Sequence, residues 1–397
     1  MNPDLQQLHP YPFEKLGRLF QGITTAPMPP IKLSIGEPQH PAPEIVQQAL
    51  RDNSIALARY PTTTGLPELN AAIRGWLERR FGLPPLEPGQ ALPVSGTREA
   101  LFAFAQAMID RNRPAKVLMP NPFYQIYEGA ALLAGGEPVY LPATSATSAT
   151  GLQPDFDAVS TETWQQCQLL YLCSPGNPTG ATLDIVTFQK LIRLADEHDF
   201  IIASDECYSE IYADQPPAGL MEACAAMGRT DYARCVVFHS LSKRSNLPGL
   251  RSGFVAGDAA LLAHFTRYRT YHGCAMPIHH QLASIVAWND ETHVAENRRL
   301  YQQKFAAVLD ILAGELEVEA PQAGFYLWPR TPGSDEDFAR ELKRTQNVTV
   351  LPGRYLSRDV DGLDPGAGRI RMALVATLEQ CIEGAERIRT FIRSQPR

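Results

Sequence analysis

Four apolar runs in this chain end in polar side chains able to act on a ligand. Ser95-Gly96-Thr97-Arg98 follows LPV, Asn177 lies in SPGNPTG after LLYLC, Asp205 and Tyr208 follow FIIAS, and Ser240, Ser242 and Lys243 follow CVVFH. A turn of small residues opening into a helix presents free backbone N–H groups and the positive end of the helix dipole, which suits a phosphate. The alternative is an ordinary N-cap at Ser95 or Thr97. The turn fits neither GxGxxG nor GxxxxGK[ST], so it does not favour a nucleotide. Asp205 closes an apolar run, where a carboxylate is costly to desolvate without a cationic or hydrogen-bonding partner. A protonated heterocyclic nitrogen is one such partner; a helix cap or a salt bridge is another. Taken singly, Lys243 reads as a surface lysine. Arg251, eight residues on, could reach the same anion as Ser240 or Ser242, or form a surface ion pair worth about 0–1 kcal/mol.

These groups need a scaffold that brings strand ends together. From about residue 93 to 257, short apolar runs (AKVLMP, QLLYLCSP, DFIIASDE, RCVVFHS, SGFVAG) alternate with helical segments such as TREALFAFAQAMIDR and TLDIVTFQKLIRLADEH. That alternation predicts an α/β fold with a mostly parallel, helix-covered sheet, whose ligands bind beyond the carboxyl ends of its strands. The runs are apolar throughout, as strands buried on both faces should be. After about residue 290 the texture changes to a long polar helix (ENRRLYQQKFAAVLDILAGE), then LEVEA, FYLW, a helix, VTVLP, RIRMALV and a closing helix, which reads as a smaller α+β domain. Residues 1–50, an arm with one short helix, carry no complete core and are expected to complete that smaller, discontinuous domain. The large domain is then 51–290, and 291–397 the remainder of the small one. The Ala/Thr/Ser run near residues 144–151 reads as an exposed loop.

Bulk composition narrows the function classes. With 397 residues, two domains are the natural expectation. A net charge of −7 without long single-sign runs argues against a nucleic-acid partner. The N-terminal segment lacks a basic stretch followed by an apolar one, and no run of apolar residues is long enough to span a membrane, so the sequence predicts a cytoplasmic protein. Seven cysteines form no CxxC pair, and several sit in apolar runs as small hydrophobes. His279 and His280 are adjacent and should diverge on a regular element, so no metal is expected.

The runs SPGNPTG, SDECYSEIY and SLSKRSNLPGLRSGF together resemble class I/II aminotransferases of the type I pyridoxal 5'-phosphate (PLP) fold, and the similarity spans nearly the whole chain. The resemblance implies that Lys243 carries PLP as a Schiff base and shuttles the substrate α-proton. It implies that Asp205 pairs with the pyridinium nitrogen, that Asn177 and Tyr208 hydrogen-bond the ring O3', and that Tyr124 in NPFYQIY stacks on the ring. It gives the phosphate to the backbone of Gly96 and Thr97, to Arg98, to the hydroxyls of Ser240 and Ser242, and to Arg251. Tyr60 resembles a tyrosine that reaches the partner subunit's phosphate, which implies a homodimer; by itself it is an ordinary pre-proline residue. Arg371 in GRIRMALVAT resembles the arginine that grips the substrate α-carboxylate, with Arg369 facing the other side of the strand. Gly36 in KLSIGEPQ matches a close approach of backbone to that carboxylate, or is a plain turn glycine.

Within that family, HPYPFEKLGRL, KRSNLPGLRSGFVAGD and RTYHGCAMPIHHQLASIVAWND look like the bacterial succinyldiaminopimelate branch of lysine biosynthesis. The implied reaction moves an amino group from N-succinyl-L,L-diaminopimelate to 2-oxoglutarate. No motif marks the residues that read the remote carboxylates; Arg18, Arg330, Arg354 and Arg358 are candidates. An aspartate or other amino acid aminotransferase would share every cofactor residue, and a β-lyase the same Lys243 and Asp205.

Overall fold

The computed structural model describes residues 1–144 and 152–395; the run expected to be a loop lies, from residue 145 on, outside them. Eight strands form the main sheet: β1 (Ala91–Val94), β2 (Lys116–Asn121), β3 (Glu137–Thr144), β4 (Gln153–Pro154), β5 (Cys167–Cys173), β6 (Ile201–Asp205), β7 (Cys235–Ser240) and β8 (Gly253–Gly257). Their spatial order is β1-β8-β7-β6-β5-β2-β3-β4. Pairing is parallel from β7 through to β3, whereas β8 runs antiparallel to both of its neighbours and β4 antiparallel to β3. The sequence reading has no strand over Glu137–Thr144, because Pro138 and Pro142 interrupt its apolar run.

Alternation sorts the strand side chains onto two faces. Leu118, Leu170, Leu172, Ile202 and Val237 enter one core with Phe188, Leu191 and Ile192 of the helix Ile185–His198. Val117, Met119, Leu169, Tyr171, Val236 and Phe238 enter the other with Leu101 and Phe104 of the helix Thr97–Met108. Each such buried aliphatic side chain contributes about 1.5–3 kcal/mol, so Leu170→Ala at the sheet centre should cost about 2–5 kcal/mol.

The antiparallel β8 matters for function. Its first residue, Gly253, pairs with Ser240 at the end of β7 and with Val94 at the end of β1. Arg251, just before that strand, therefore arrives at the edge where the parallel strands finish.

A second group of strands is made of short pieces: Tyr326–Leu327 and Leu351–Pro352 flank Ile370–Ala373 antiparallel, and Ile31–Lys32 pairs in parallel with Val348–Thr349. LEVEA stays outside regular strands. Ile31 and Leu33 share a core with Val308, Leu312, Val348 and Ile388, so the N-terminal segment packs with the C-terminal part. Val46, by contrast, joins the core of the main sheet. In the arm, Leu16 and Phe13 pack on Trp328, Leu351 and Leu356.

Candidate active site

The polar strand ends meet in an open cavity of about 520 Å³ bordered by the N-terminal arm and the small sheet. Every residue expected to hold the cofactor or the α-carboxylate lines it except Gly96, which sits directly behind Arg251, and Tyr60. Tyr60 is fully exposed on the surface of its own chain.

At the floor, Asp205 ends β6 and is buried. Its Oδ2 accepts from the Tyr127 hydroxyl at 2.8 Å and its Oδ1 from the Cys207 backbone N–H at 3.2 Å. Burial pushes its pKa up against the pull of these hydrogen bonds. Both donors are neutral, so a protonated ring nitrogen would supply the cationic partner that a buried carboxylate requires.

Lys243 lies on the short helix Leu241–Arg244, which is capped by the Ser240 hydroxyl accepting from the Ser242 N–H at 3.0 Å. Its Nζ donates to the Gly36 carbonyl at 2.5 Å and stands 5.2 Å from the centre of the Phe325 ring. Burial lowers its pKa to about 8, which makes the neutral, nucleophilic amine available near physiological pH.

An anion cradle stands beside it. Gly96, the N-cap of Thr97–Met108, has φ 87°, and a Cβ there would lie 2.3 Å from Arg251 Nη2. Glycine thus lets the helix N-terminus and the Arg251 guanidinium face one point. Ser240, Ser242 and Thr97 line the same wall. Arg98 does not join them: its Nη2 donates to the Tyr11 hydroxyl at 2.9 Å and its guanidinium lies 5.4 Å from that ring. The side chain leaves the helix toward the arm, which leaves the backbone N–H of Arg98, in the first helical turn, for the expected phosphate.

The facing wall carries Arg371. Its Nη1 donates to Asn177 Oδ1 at 2.9 Å, its Nη2 to the Ser34 carbonyl at 2.8 Å, and its guanidinium covers the Tyr326 ring at 4.5 Å. Its Nε is buried without a partner among the described residues. All these contacts are neutral, so the cation is held in place but not neutralised. Arg369 instead donates to the Trp328 carbonyl. Asn177 and Tyr208, expected as a pair, each bind elsewhere: Asn177 to Arg371, and the Tyr208 hydroxyl to that of Tyr326 at 3.1 Å. Gly36 is required by space, because a Cβ would stand 2.0 Å from the Tyr326 hydroxyl. Tyr124 lines the cavity with its ring perpendicular to Tyr127, 5.8 Å away, and burial raises the pKa of its hydroxyl.

The four arginines suggested for remote carboxylates are elsewhere. Arg18 pairs with Glu14, Arg330 with Glu317, Arg354 with Asp335 and Arg358 with Glu128, and none lines the cavity. His279 and His280 do not diverge; their rings meet edge to face at 4.4 Å, since a turn of about 100° per helical residue leaves room for two imidazoles to tilt together. Among the described residues Glu99, His272 and Cys274 bring metal-type atoms within 4.8 Å of one another, but Arg269 binds both Glu99 oxygens at 2.6 and 2.8 Å. The sequence reading passes over Tyr127, Cys207, Tyr326 and Tyr11. Only Tyr127 has a local signal, as the second tyrosine of NPFYQIY, one helical residue into Ile126–Leu133.

The chain matches the model for aminotransferase class I and II over residues 29–388. It belongs to that family. Its cofactor is pyridoxal 5'-phosphate, and the site fits it: a buried carboxylate served by neutral donors, a lysine amine, and a glycine-and-arginine cradle for a phosphate. A solved aminotransferase from Neisseria meningitidis is 48% identical, with a TM-score of 0.93 over 98% of this chain and 99% of that one. The LL-diaminopimelate aminotransferase of Syntrophobacter fumaroxidans is 32% identical over 97% of each chain. A probable N-succinyldiaminopimelate aminotransferase from Thermus thermophilus is 27% identical, with a TM-score of 0.83 over 96% of this chain and 100% of that one. Among the described residues no helix is long and apolar enough to cross a membrane.

Proposed function

We propose that this aminotransferase moves the amino group of N-succinyl-L,L-diaminopimelate to 2-oxoglutarate, releasing the 2-oxo product and L-glutamate. The observation that carries the donor is the charge pattern of the cavity. Among the described residues three guanidinium groups, Arg98, Arg251 and Arg371, line it without a carboxylate partner; Arg251 serves the phosphate, which leaves two for a donor, and the one lining carboxylate is Asp205 at the floor. Such a lining suits a long donor with carboxylates at both ends and gives no seat to a distal ammonium. Acylation removes that ammonium, so the charge pattern favours the succinylated donor. The names of the roughly 30%-identical relatives favour unacylated LL-diaminopimelate as the second reading.

In this reading Lys243 holds the cofactor until a donor arrives, and its freed Nζ then takes the proton from the donor α-carbon. Bound PLP supplies an electron sink for the charge developing at that carbon. Asp205 would keep the ring nitrogen protonated, Tyr208 and Asn177 would hydrogen-bond the ring hydroxyl, and Tyr124 would stack on the ring. Gly96, Thr97, Ser240, Ser242 and Arg251 hold the phosphate. Arg371 binds the α-carboxylate through its planar fork, beside Asn177 and Gly36. Exposed Tyr60 reaches the partner subunit's phosphate in a homodimer. A glutamate-coupled assay comparing N-succinyl-L,L-diaminopimelate, LL-diaminopimelate and aspartate tests the donor. The succinylated donor should give the highest kcat/KM; preference for either other donor replaces it, and no glutamate from any donor by the PLP-loaded enzyme overturns transamination.

A further inference from the structure

Lys243 sits near the end of a four-residue helix, and a helix this short leaves its last carbonyls without intrahelical donors. The Leu241 carbonyl is served by the N–H groups of Ser245 and Leu247. Those of Lys243 and Arg244 are taken by a side chain from the distant helix Thr292–Leu312: Asn297 Nδ2 donates to both, at 3.2 Å each. The amide oxygen of Asn297 is used as well, accepting from Asn246 Nδ2 at 3.0 Å and from His40 Nδ1 at 2.8 Å. That bond fixes the proton of neutral His40 on Nδ1, which leaves Nε2 to accept from Lys304 Nζ at 2.6 Å. Lys304 is buried, touches the Val375 carbonyl at 3.4 Å and lies 5.0 Å from the Tyr301 ring; it forms no ion pair among the described residues.

A line of donors therefore runs from Lys304 through His40 and Asn297 to the backbone of Lys243, each link orienting the next. The same N-terminal segment also holds the other end of that lysine: His40 lies four residues after Gly36, whose carbonyl accepts from Lys243 Nζ. We propose that Asn297, held in orientation by His40 and Lys304, is a positioning residue that sets where the Lys243 amine stands. This rests on the reading of Lys243 as the cofactor-bearing lysine. A displacement of about 1 Å at a reacting group can cost roughly a hundredfold in rate, so a clamp on its backbone has a measurable effect.

The test uses the PLP-loaded enzyme and the variants Asn297→Asp, which keeps the volume but loses both donors, His40→Asn, which restores an N–H for Asn297 but not the link to Lys304, and Lys304→Met. Four quantities are read: kcat, KM for each substrate, the pH midpoint of the visible absorbance of Lys243-bound cofactor, and Tm. N297D should lower kcat roughly tenfold with KM within about twofold, and move the absorbance midpoint by at least about half a pH unit, with smaller changes of the same kind in H40N and K304M. A lowered Tm with wild-type kcat and midpoint overturns the proposal. If N297D does not fold, H40N and K304M decide by the same two readouts. Lys243→Ala run alongside separates the two claims. Retained lysine-type absorbance and turnover in K243A would refute the role of Lys243. Loss of both there, with wild-type behaviour in the network variants, would refute the clamp alone.

Discussion

The two walls of the cavity are built by different rules. On the sheet wall, Asn177, Asp205, Tyr208, Ser240, Ser242, Lys243 and Arg251 all come from residues 177–251, carried on consecutive strand ends. The facing wall gathers Tyr11, Gly36, Tyr326 and Arg371 from both ends of the chain: Tyr11 caps the helix Pro12–Leu19, and the others sit on or beside strands two to four residues long. Parallel crossovers return each strand to the same edge, so the sheet wall is fixed by local sequence. The facing wall is fixed by tertiary hydrogen bonds such as Arg371 to Asn177 and to the Ser34 carbonyl. One wall should govern chemistry and the other binding.

Substitutions can break this division. Asp205→Ala should lower kcat by about 10²–10³, the usual loss when one preorganised electrostatic group is removed, with little change in KM and with PLP retained. Steady-state kinetics and the cofactor spectrum check it, and a loss of PLP without a kinetic defect in the reloaded enzyme would contradict it.

The pH dependence of cofactor uptake probes the same wall. Burial depresses the Lys243 pKa from 10.5 to about 8, so the neutral amine forms as pH rises through about 8 rather than above 10. Uptake of PLP by the apoenzyme should climb to a plateau with its midpoint near that lower value, and a midpoint near 10 would show an ordinary exposed lysine.

On the facing wall, Arg371→Ala removes a charged hydrogen-bonding pair with the donor, about 2–3 kcal/mol, or roughly 30- to 150-fold in kcat/KM. Arg371→Lys should recover little, because an ammonium lacks the planar fork. Arg98→Ala should be the mildest: an exposed cation is worth about fivefold, visible as a raised KM for the succinylated donor and absent with aspartate. Equal loss for both donors would remove Arg98 from distal recognition.

The same contrast explains what the sequence made legible. The strand-end groups were readable because apolar runs and turns announce where a strand stops, and the antiparallel β8 was readable as a strand although not in its direction. Tyr326 and Tyr11 were not, because nothing local distinguishes a cavity tyrosine from a core one. Their partners, Arg371 and Tyr208 for the first and Arg98 for the second, lie far away in sequence. Of the arginines considered for remote carboxylates, Arg18 has a partner readable in sequence, Glu14 one helical turn before it, whereas Arg358 finds Glu128 across 230 positions. Glu137–Thr144 was missed because its prolines read as breaks, yet it lies toward the sheet margin, paired with β2 and the two-residue β4, where lost N–H donors cost less.

The central claim is that the cofactor is borne by Lys243. Reduction of the PLP-loaded enzyme with borohydride, followed by digestion and mass spectrometry, fixes the cofactor to whichever amine carries it. A single labelled peptide, modified at Lys243, is the expected result. Label at another lysine, Lys304 included, or a fully PLP-loaded enzyme that retains no covalent label, would contradict it.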